Sequence, residues 1–353
     1  MQKTLFLAAT LALSAVFSAG ASPSRSPART VQVRPYKGPV YSIFFHPLIS
    51  EPREAFAVSS KQVFMDEWFV TVSEFKKVLA SLYQRGFVLV SPRQFYVKEA
   101  DGRWEKKDVL LPVGKKPLIL SEDDVNYYKT MRTHGVISRL WVDPEGRLAG
   151  ILTLPDGTSK VVYDNEVPQV LERFISVHPD FSLDGARGII GETGYYGAFG
   201  YPDVANPKAF DHDNQVYQAT KVAQKLRQMG WEFASHSYDH ETAVREPDAQ
   251  FEAAEKLWMK EIGPIVGPTP YYIFPFGELW NEDRTRMNFL NSLGFSYYFG
   301  VDRRASVGYA DGSILLGRVA VDGRSLRLGA PSLRIFMDTK KILDPDRASL
   351  KYR

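Results

Sequence analysis

The 353-residue chain contains no cysteine, and this absence removes several classes of chemistry at once. It excludes a disulfide framework, thiolate catalysis and cysteine-ligated zinc, so any bound metal must be held by histidine and carboxylate side chains. The chain also lacks a large excess of charge, because 44 Lys and Arg residues face 41 Asp and Glu residues. A net charge of +3 does not indicate the wide basic surface of a nucleic-acid-binding protein, and we expect no nucleic-acid partner.

Long hydrophobic runs are missing outside the N-terminus. There, an apolar run from Leu5 to Phe17 is followed by Ala19-Gly20-Ala21, the small-residue pattern that signal peptidases cleave. A run of this length covers about 20 Å of a hydrocarbon core that is roughly 30 Å thick, which argues against a membrane anchor. The sequence predicts a signal peptide over 1–21, a flexible leader over 22–39 and no transmembrane segment in the mature chain. We therefore expect an exported protein, located in the periplasm, the cell envelope or the medium.

Short apolar runs alternate with stretches of helical period, a pattern typical of α/β proteins. Seven or eight βα units without a glycine-rich phosphate loop favour an irregular (β/α)7–8 barrel over a dinucleotide-binding fold. Turn residues at Asp143 to Gly146 and at Asp156-Gly157 indicate a β-meander inserted at about 140–165. The barrel is predicted over 40–337, and a charged, peripheral tail over 338–353. The strand candidates are Tyr41–Phe45, Phe87–Val90, Leu118–Leu120, Gly188–Ile190, Trp231–Ala234, Tyr271–Phe274, Ser296–Phe299 and Ile314–Val319.

Polar residues follow two of these strands directly. Leu118–Leu120 runs into Ser121-Glu122-Asp123-Asp124, which would place carboxylates at the C-terminal mouth of a barrel, although acids are equally typical of a helix N-terminus. His236 and His240 follow the strand Trp231–Ala234 at a spacing that lets both imidazoles reach one ion. A carboxylate with two histidines leaves a position open for water, the pattern of catalytic zinc and of other divalent metals.

Further candidate residues lie in the loops. The strand Tyr271–Phe274 ends in Pro275-Phe276-Gly277, where a sharp turn can expose a backbone N–H as an oxyanion donor. His46 ends the first strand, where a hydrogen-bonded structural role is the expectation, and we assign it no catalytic role, although His46 or His134 could donate a proton if the fold brings one within reach. Four aromatic residues can offer flat apolar faces to a ligand, with ordinary packing as the alternative for each: Tyr195, Tyr196, Tyr201 and Trp280.

Together these segments resemble the polysaccharide deacetylases, the family of the NodB homology domain, from Tyr41 to about Val321. Ser121-Glu122-Asp123-Asp124-Val125 is similar to the family motif Thr-Phe-Asp-Asp-Gly, and His236-Ser237-Tyr238-Asp239-His240 matches His-Ser/Thr-x-x-His in full. Ile273-Phe274-Pro275-Phe276-Gly277 matches Arg-x-Pro-Tyr-Gly in part. The resemblance implies an irregular barrel with Asp123 as general base and the N–H of Phe276 at the oxyanion. It also implies a divalent metal, Zn²⁺ or else Co²⁺ or Ni²⁺, on Asp124, His236 and His240.

The chain departs from the family pattern at two points. Ile273 stands where many members have the arginine that pairs with the catalytic aspartate. The late Leu-x-His motif, which supplies the general acid, should fall near Leu315 to Arg318, yet no histidine follows His240. Arg318 cannot donate a proton at neutral pH, because a guanidinium keeps its protons, but it can orient or stabilise Asp123.

The resemblance implies a carbohydrate deacetylase, a metal-dependent hydrolase that acts on non-peptide C–N bonds. Its expected substrates are N-acetyl or O-acetyl groups on a cell-wall or extracellular polysaccharide such as peptidoglycan. On such a polymer the four aromatic residues are candidates for stacking on sugar rings: Tyr195, Tyr196, Tyr201 and Trp280. Two alternatives stay open. The missing arginine and histidine motivate a glycan-binding protein that kept the barrel and lost its activity. A glycoside hydrolase would need two carboxylates roughly 5–10 Å apart, which the adjacent Asp123 and Asp124 supply poorly.

Overall fold

The computed structural model describes residues 32–57, 59–241, 246–278, 284–310 and 312–348. The proposed signal peptide, most of the proposed leader and the candidate stacking residue Trp280 lie outside these described residues. None of the helices in the described ranges combines the length and the apolar character that crossing a bilayer requires.

Seven parallel strands close into a barrel, which confirms the predicted fold class. Each strand pairs with the next one in chain order, and the last pairs with the first, where Val319 lies opposite Ile43. All seven carboxyl ends therefore open on one face. The strands are β1 (Tyr41–Phe45), β2 (Lys116–Asp123), β3 (Ile189–Glu192), β4 (Glu232–Ser235), β5 (Tyr271–Ile273), β6 (Tyr297–Val301) and β7 (Ser313–Ala320).

Additional strands flank this ring. Phe87–Leu89 runs parallel to the first half of β2, and Val307–Ala310 runs antiparallel to β7. Two short strands, Tyr96–Lys98 and Trp104–Lys106, form an antiparallel pair. The inserted β-meander is present as three antiparallel strands, Arg139–Val142, Leu148–Thr153 and Ser159–Val162.

Helices follow most barrel strands, and their ends obey local capping rules. Thr71 and Glu74 form a reciprocal capping box at the start of one helix, and Gly230 ends another at φ 101°, a conformation that glycine adopts without strain. The longer helices are Val72–Gln84, Val167–Val177, His212–Met229, Asp248–Glu261 and Arg284–Ser292. The shorter ones are Pro52–Ala55, Gln62–Trp68, Pro92–Phe95, Lys129–Arg132, Gly263–Val266, Gly323–Leu328, Thr339–Ile342 and Pro345–Ala348. Single 3₁₀ turns occupy Pro179–Phe181, Pro202–Ala205, Pro275–Gly277 and Pro331–Leu333.

Alternate strand residues form two separate hydrophobic clusters. Ile119, Ile189 and Ile273 belong to the smaller cluster, whereas Leu118 and Leu120 belong to the larger one that includes the helices. Because side chains on a strand alternate between its faces, the smaller cluster fills the barrel interior. The same alternation brings the polar residues at the strand ends, two or four positions further on, to the mouth of that interior.

Two predicted boundaries are wrong at the chain ends. The proposed flexible leader extends too far, because Val33–Pro35 pairs antiparallel with Leu110–Pro112. The proposed peripheral tail is packed into the fold through Arg347, whose guanidinium is fully buried and donates to Asp66 and Glu74. A guanidinium needs a carboxylate partner when it is buried, and neither partner lies near it in sequence.

Candidate metal centre

The three predicted metal ligands come together at the carboxyl ends of β2 and β4. Asp124 directly follows β2 and has φ 63°, so the chain turns sharply there and its amide donates to the carbonyl of Gly191 at 3.1 Å. His236 directly follows β4, and His240 stands four residues further on at φ 52°. Left-handed backbone is uncommon for residues other than glycine, and its recurrence here is typical of a functional site.

These side chains have the geometry of a shared metal site. Nε2 of His240 lies 3.7 Å from Oδ1 of Asp124, and Nε2 of His236 lies 3.9 Å from the same oxygen. Two ligands that each stand about 2.1 Å from one ion cannot be more than about 4.2 Å apart, and both distances satisfy this limit. All three candidate donor atoms lie within 4.8 Å of one another, and Oδ1 of Asp124 is buried with no hydrogen-bond partner in the described structure.

The proton arrangement of His236 also suits metal binding. Its Nδ1 lies 2.9 Å from the carbonyl oxygen of Ile273, which can only accept, so Nδ1 carries the proton and Nε2 presents a lone pair. Burial lowers the pKa of His236 to about 4, although the charge of Asp123 opposes this shift. The imidazole is therefore neutral at ordinary pH, which is the form that coordinates a metal.

Asp123, the predicted base, is held by Arg318. Both residues are almost completely buried, and the guanidinium donates from Nη1 to Oδ1 at 2.7 Å and from Nη2 to Oδ2 at 2.9 Å. Burial is the largest single influence on the pKa of Asp123 and raises it, but the charge and hydrogen bonds of Arg318, together with the nearby His236 and His46, outweigh burial, and the pKa lies below its usual value. Ser121 Oγ and the ring of Phe44 complete the surroundings of the guanidinium. Arg318 thus contacts Asp123 as expected, and its supporting role in the reaction stays a prediction.

Ile273 stands at the position of the family's arginine, and a residue on another strand supplies the cation that pairs with Asp123. Its side chain is fully buried in the interior cluster. The guanidinium that pairs with Asp123 instead comes from β7, which is separated from β2 by β1 alone. Asp123 therefore has a cationic partner, and that partner lies almost 200 residues later in the chain than Asp123.

A cavity of about 370 Å³ lies over these groups, and Asp123, Asp124, both histidines and Arg318 reach it. His46, to which the sequence assigned no role, lines the same cavity. Its Nδ1 lies 3.0 Å from the carbonyl of Trp68, so Nδ1 carries the proton in the neutral ring and Nε2 is the free position. The sequence signal for this location was the position of His46 directly after β1, because the carboxyl ends of all seven barrel strands lie at this mouth. The remaining wall is largely aromatic: Phe44, Phe64, Trp68, Phe69, Tyr128, Phe274 and Phe276.

Phe276 occupies the rim of this cavity. Its backbone has φ 57°, its side chain is 65 % exposed, and its ring centroid lies 4.8 Å from that of His240. The predicted sharp turn is therefore present. The role of its N–H at an oxyanion stays a prediction.

The candidate stacking residues differ in how far they are exposed. Tyr195 and Tyr196 are 37 % and 41 % exposed, with their ring centroids 4.5 Å apart, so both rings remain partly accessible. Tyr201 is 5 % exposed and packs in the hydrophobic core, which favours ordinary packing, the alternative given for this ring. It lies in the same glycine-rich loop, and only the packing of that loop distinguishes it from the other two.

Three glutamates to which the sequence assigned no role of their own are completely buried near this mouth: Glu122, Glu166 and Glu192. Burial raises the pKa of each, and the charge of Glu166 raises that of Glu122 further. Glu166 accepts from the amides of Leu48 and Val167, and Glu192 accepts from the amide of Phe199. Two of the three carboxylates thus fix loops beside the candidate metal centre.

Comparison with known proteins returns no matching family model and no matching curated protein. Solved polysaccharide deacetylases are among the structures that match. The Streptococcus pyogenes deacetylase PplD, solved with acetate, is 13% identical, and the match covers 84% of this chain and 99% of that one with a TM-score of 0.45. A Bacillus cereus polysaccharide deacetylase is 11% identical, with coverages of 84% and 69% and a TM-score of 0.47. The BpsB deacetylase domain from Bordetella bronchiseptica is 12% identical, with coverages of 80% and 96% and a TM-score of 0.38.

Proposed function

We propose that this protein is a metal-dependent hydrolase that removes acetyl groups from an extracellular or cell-wall polysaccharide. The observation that carries the proposal is one cavity that contains both a three-ligand cluster, Asp124, His236 and His240, and a separate buried carboxylate, Asp123. The export that the N-terminal sequence predicts is part of the proposal, since it would bring the protein to such a polymer.

The donor set suits a zinc ion, because it combines two imidazoles with one carboxylate. When bound, such an ion supplies Lewis-acid chemistry: it polarises a carbonyl and favours the deprotonation of water at neutral pH. Asp123 is the residue proposed to accept the proton from the attacking water, and Arg318 holds both of its oxygens in a fixed orientation. The N–H of Phe276 is proposed to donate to the oxyanion.

His46 is the proposed proton donor to the leaving group. It lines the cavity with Asp123, and its Nδ1 bond to the carbonyl of Trp68 fixes the ring with Nε2 free to hold a transferable proton. This would fill the role of the late histidine that the chain lacks. The contribution of a positioned general acid is typically 10²–10⁴-fold in rate.

The first experiment measures acetate released from N-acetylated glycan oligomers, O-acetylated glycans and peptidoglycan, with zinc and with chelator. Metal-dependent release that Asp124→Ala abolishes is the expected result, and the preferred substrate would decide between amide and ester. Binding of glycan without any acetate release, by folded protein that retains zinc, would instead support the alternative of a glycan-binding barrel.

A matched pair of histidine variants tests the proton donor. His46→Gln should lower the rate about 10²–10⁴-fold with its zinc content unchanged. His134→Gln is the control, because His134 bonds to the carbonyl of Thr130 and does not line the cavity. Equal rates in the two variants would rule out the assigned role of His46.

A further inference from the structure

A second cavity of about 400 Å³ lies where the first strand of the meander meets the glycine-rich loop and the helix His212–Met229. We call it the arginine cavity and define it by Arg132, Arg139, Trp141, Asn214 and Gln218. It therefore combines two guanidinium groups with an indole and two side-chain amides. An indole offers an apolar face to a sugar ring, and amides bond to hydroxyl groups, so this lining is suited to a carbohydrate.

The positive charge in this cavity is not neutralised by an ion pair within the described part of the chain. Arg132 donates to the main-chain carbonyls of Tyr127 and Asn126, and Arg139 lies over the ring of Tyr201 at 5.8 Å. Burial and the neighbouring charge of Arg139 lower the pKa of Arg132. The carboxylate of Asp211 also lines the cavity, but its bonds go to the amides of Asn214 and Gln215. Two guanidiniums that repel each other favour an added oxyanion.

The segment Tyr127-Tyr128 joins the arginine cavity to the candidate metal centre. Tyr128 lines the metal cavity, and its ring centroid lies 6.4 Å from that of Tyr196. Arg132 of the arginine cavity donates to the main-chain carbonyl of Tyr127, the residue directly before Tyr128. The half-exposed ring of Tyr196 thus packs beside a ring of the metal cavity, and Tyr201 of the same glycine-rich loop lines the arginine cavity.

The position of the glycine-rich loop against the meander is fixed by close backbone contact. A Cβ added at Gly200, which has φ 90°, would stand 2.3 Å from the carbonyl oxygen of Ser138. Only glycine permits this approach, and the approach brings Tyr201 beneath Arg139. The lining residues of the arginine cavity are therefore held by the fold.

We propose that the arginine cavity binds an oxyanion-bearing sugar of the same glycan whose acetyl group reaches the metal centre. The glycan would be acidic, with a carboxylate, sulfate or phosphate group on a sugar a short distance along the chain from the acetylated one. A guanidinium binds such groups through paired charge-assisted hydrogen bonds, which the ammonium of a lysine does not reproduce. This inference rests on the proposed function for the identity of the polymer.

The test compares ligands that differ only in charge, by titration calorimetry of the zinc-loaded full chain at constant ionic strength. The probes are a hyaluronan octasaccharide, the same octasaccharide with its carboxylates reduced to alcohols, and a sulfated chondroitin octasaccharide. Acidic oligosaccharides should bind about 10- to 100-fold more tightly than the reduced one, the range expected for one charged hydrogen-bonded contact. Comparison of the carboxylate with the sulfate probe identifies the preferred oxyanion.

The variant Arg139→Gln should abolish this preference, whereas Arg173→Gln should keep it. Arg173 is an exposed arginine on the helix Val167–Val177, so its substitution removes the same charge away from the cavity. Equal affinity for the charged and reduced octasaccharides would overturn the proposal, as would an equal loss in both variants. So would equally tight binding of a DNA oligomer of similar charge, because the site would then respond to charge alone.

Acetate release is measured in parallel so that the two proposals fail separately. A charge preference that depends on Arg139, without acetate release, would support the arginine cavity and contradict the deacetylase. Acetate release without any charge preference would support the deacetylase and contradict the arginine cavity.

Discussion

The buried pair of Arg318 and Asp123 allows a sharp prediction about stability. Arg318 is 1 % exposed, and two of its hydrogen bonds end on the two oxygens of Asp123. Arg318→Met keeps a long side chain but leaves the carboxylate of Asp123 buried without its cation. Asp123→Leu leaves the guanidinium buried without its anion. Each single variant is expected to lose about 3–5 kcal/mol of unfolding free energy, the usual cost of breaking a buried pair.

The double variant should behave differently from the sum of the two. Replacing both partners by apolar side chains removes the two desolvated charges together, and such replacements are often neutral or stabilising by about 1–4 kcal/mol. We therefore expect the double variant to be more stable than either single variant. Arg318→Lys should recover only part of the loss, because an ammonium cannot bond to both carboxylate oxygens in the same plane.

Urea unfolding at pH 7, followed by circular dichroism in the presence of chelator, gives the four free energies without a contribution from bound metal. A coupling free energy near zero, with the costs of the two single variants simply adding, would refute the reasoning. It would mean that the two side chains contribute independently of the bidentate contact.

The remaining predictions concern metal, pH and the chain end. Removal of zinc should lower the thermal midpoint of the native chain, because zinc at about 1,000 times its Kd adds about 4 kcal/mol to the free energy of unfolding. The midpoint of Asp124→Asn should change far less. Equal changes in the two proteins, measured by calorimetry, would contradict the assignment of Asp124 as a ligand. Burial raises the pKa of Glu255 from 4.5 to about 7, so the folded state holds the proton more tightly than the unfolded state. The free energy of unfolding should therefore fall by about 3 kcal/mol as the pH rises from about 4.5 to about 7. Urea titrations from pH 4 to 8 should show a flatter profile for Glu255→Gln, and an unchanged slope would count against the shift. Arg347→Met should cost about 3–5 kcal/mol in the same assay, because Asp66 and Glu74 stay buried, whereas a loss below about 0.5 kcal/mol would indicate a peripheral tail.

Much of the fold could be predicted because its signals are local. The strand Tyr41–Phe45 and the helix that ends at Gly230 follow from apolar periodicity and a glycine stop, which depend on neighbours within a few residues. The metal ligands were also accessible, since the spacing of His236 and His240 after a strand end is a short-range pattern. Export over 1–21 lies outside the described residues and stays a prediction.

Contacts between distant residues depend on which strands pair, and local sequence patterns do not indicate that pairing. The sequence by itself determined the alternation of strands and helices and the polar residues that follow β2 and β4. Only the closed barrel decided that Arg318 would reach Asp123, because β7 and β2 both pair with β1. It also decided that His46 would line the metal cavity while Tyr201 would be buried. The physical reason is that ring closure joins segments hundreds of residues apart, and burial and charge pairing arise only after those segments have met.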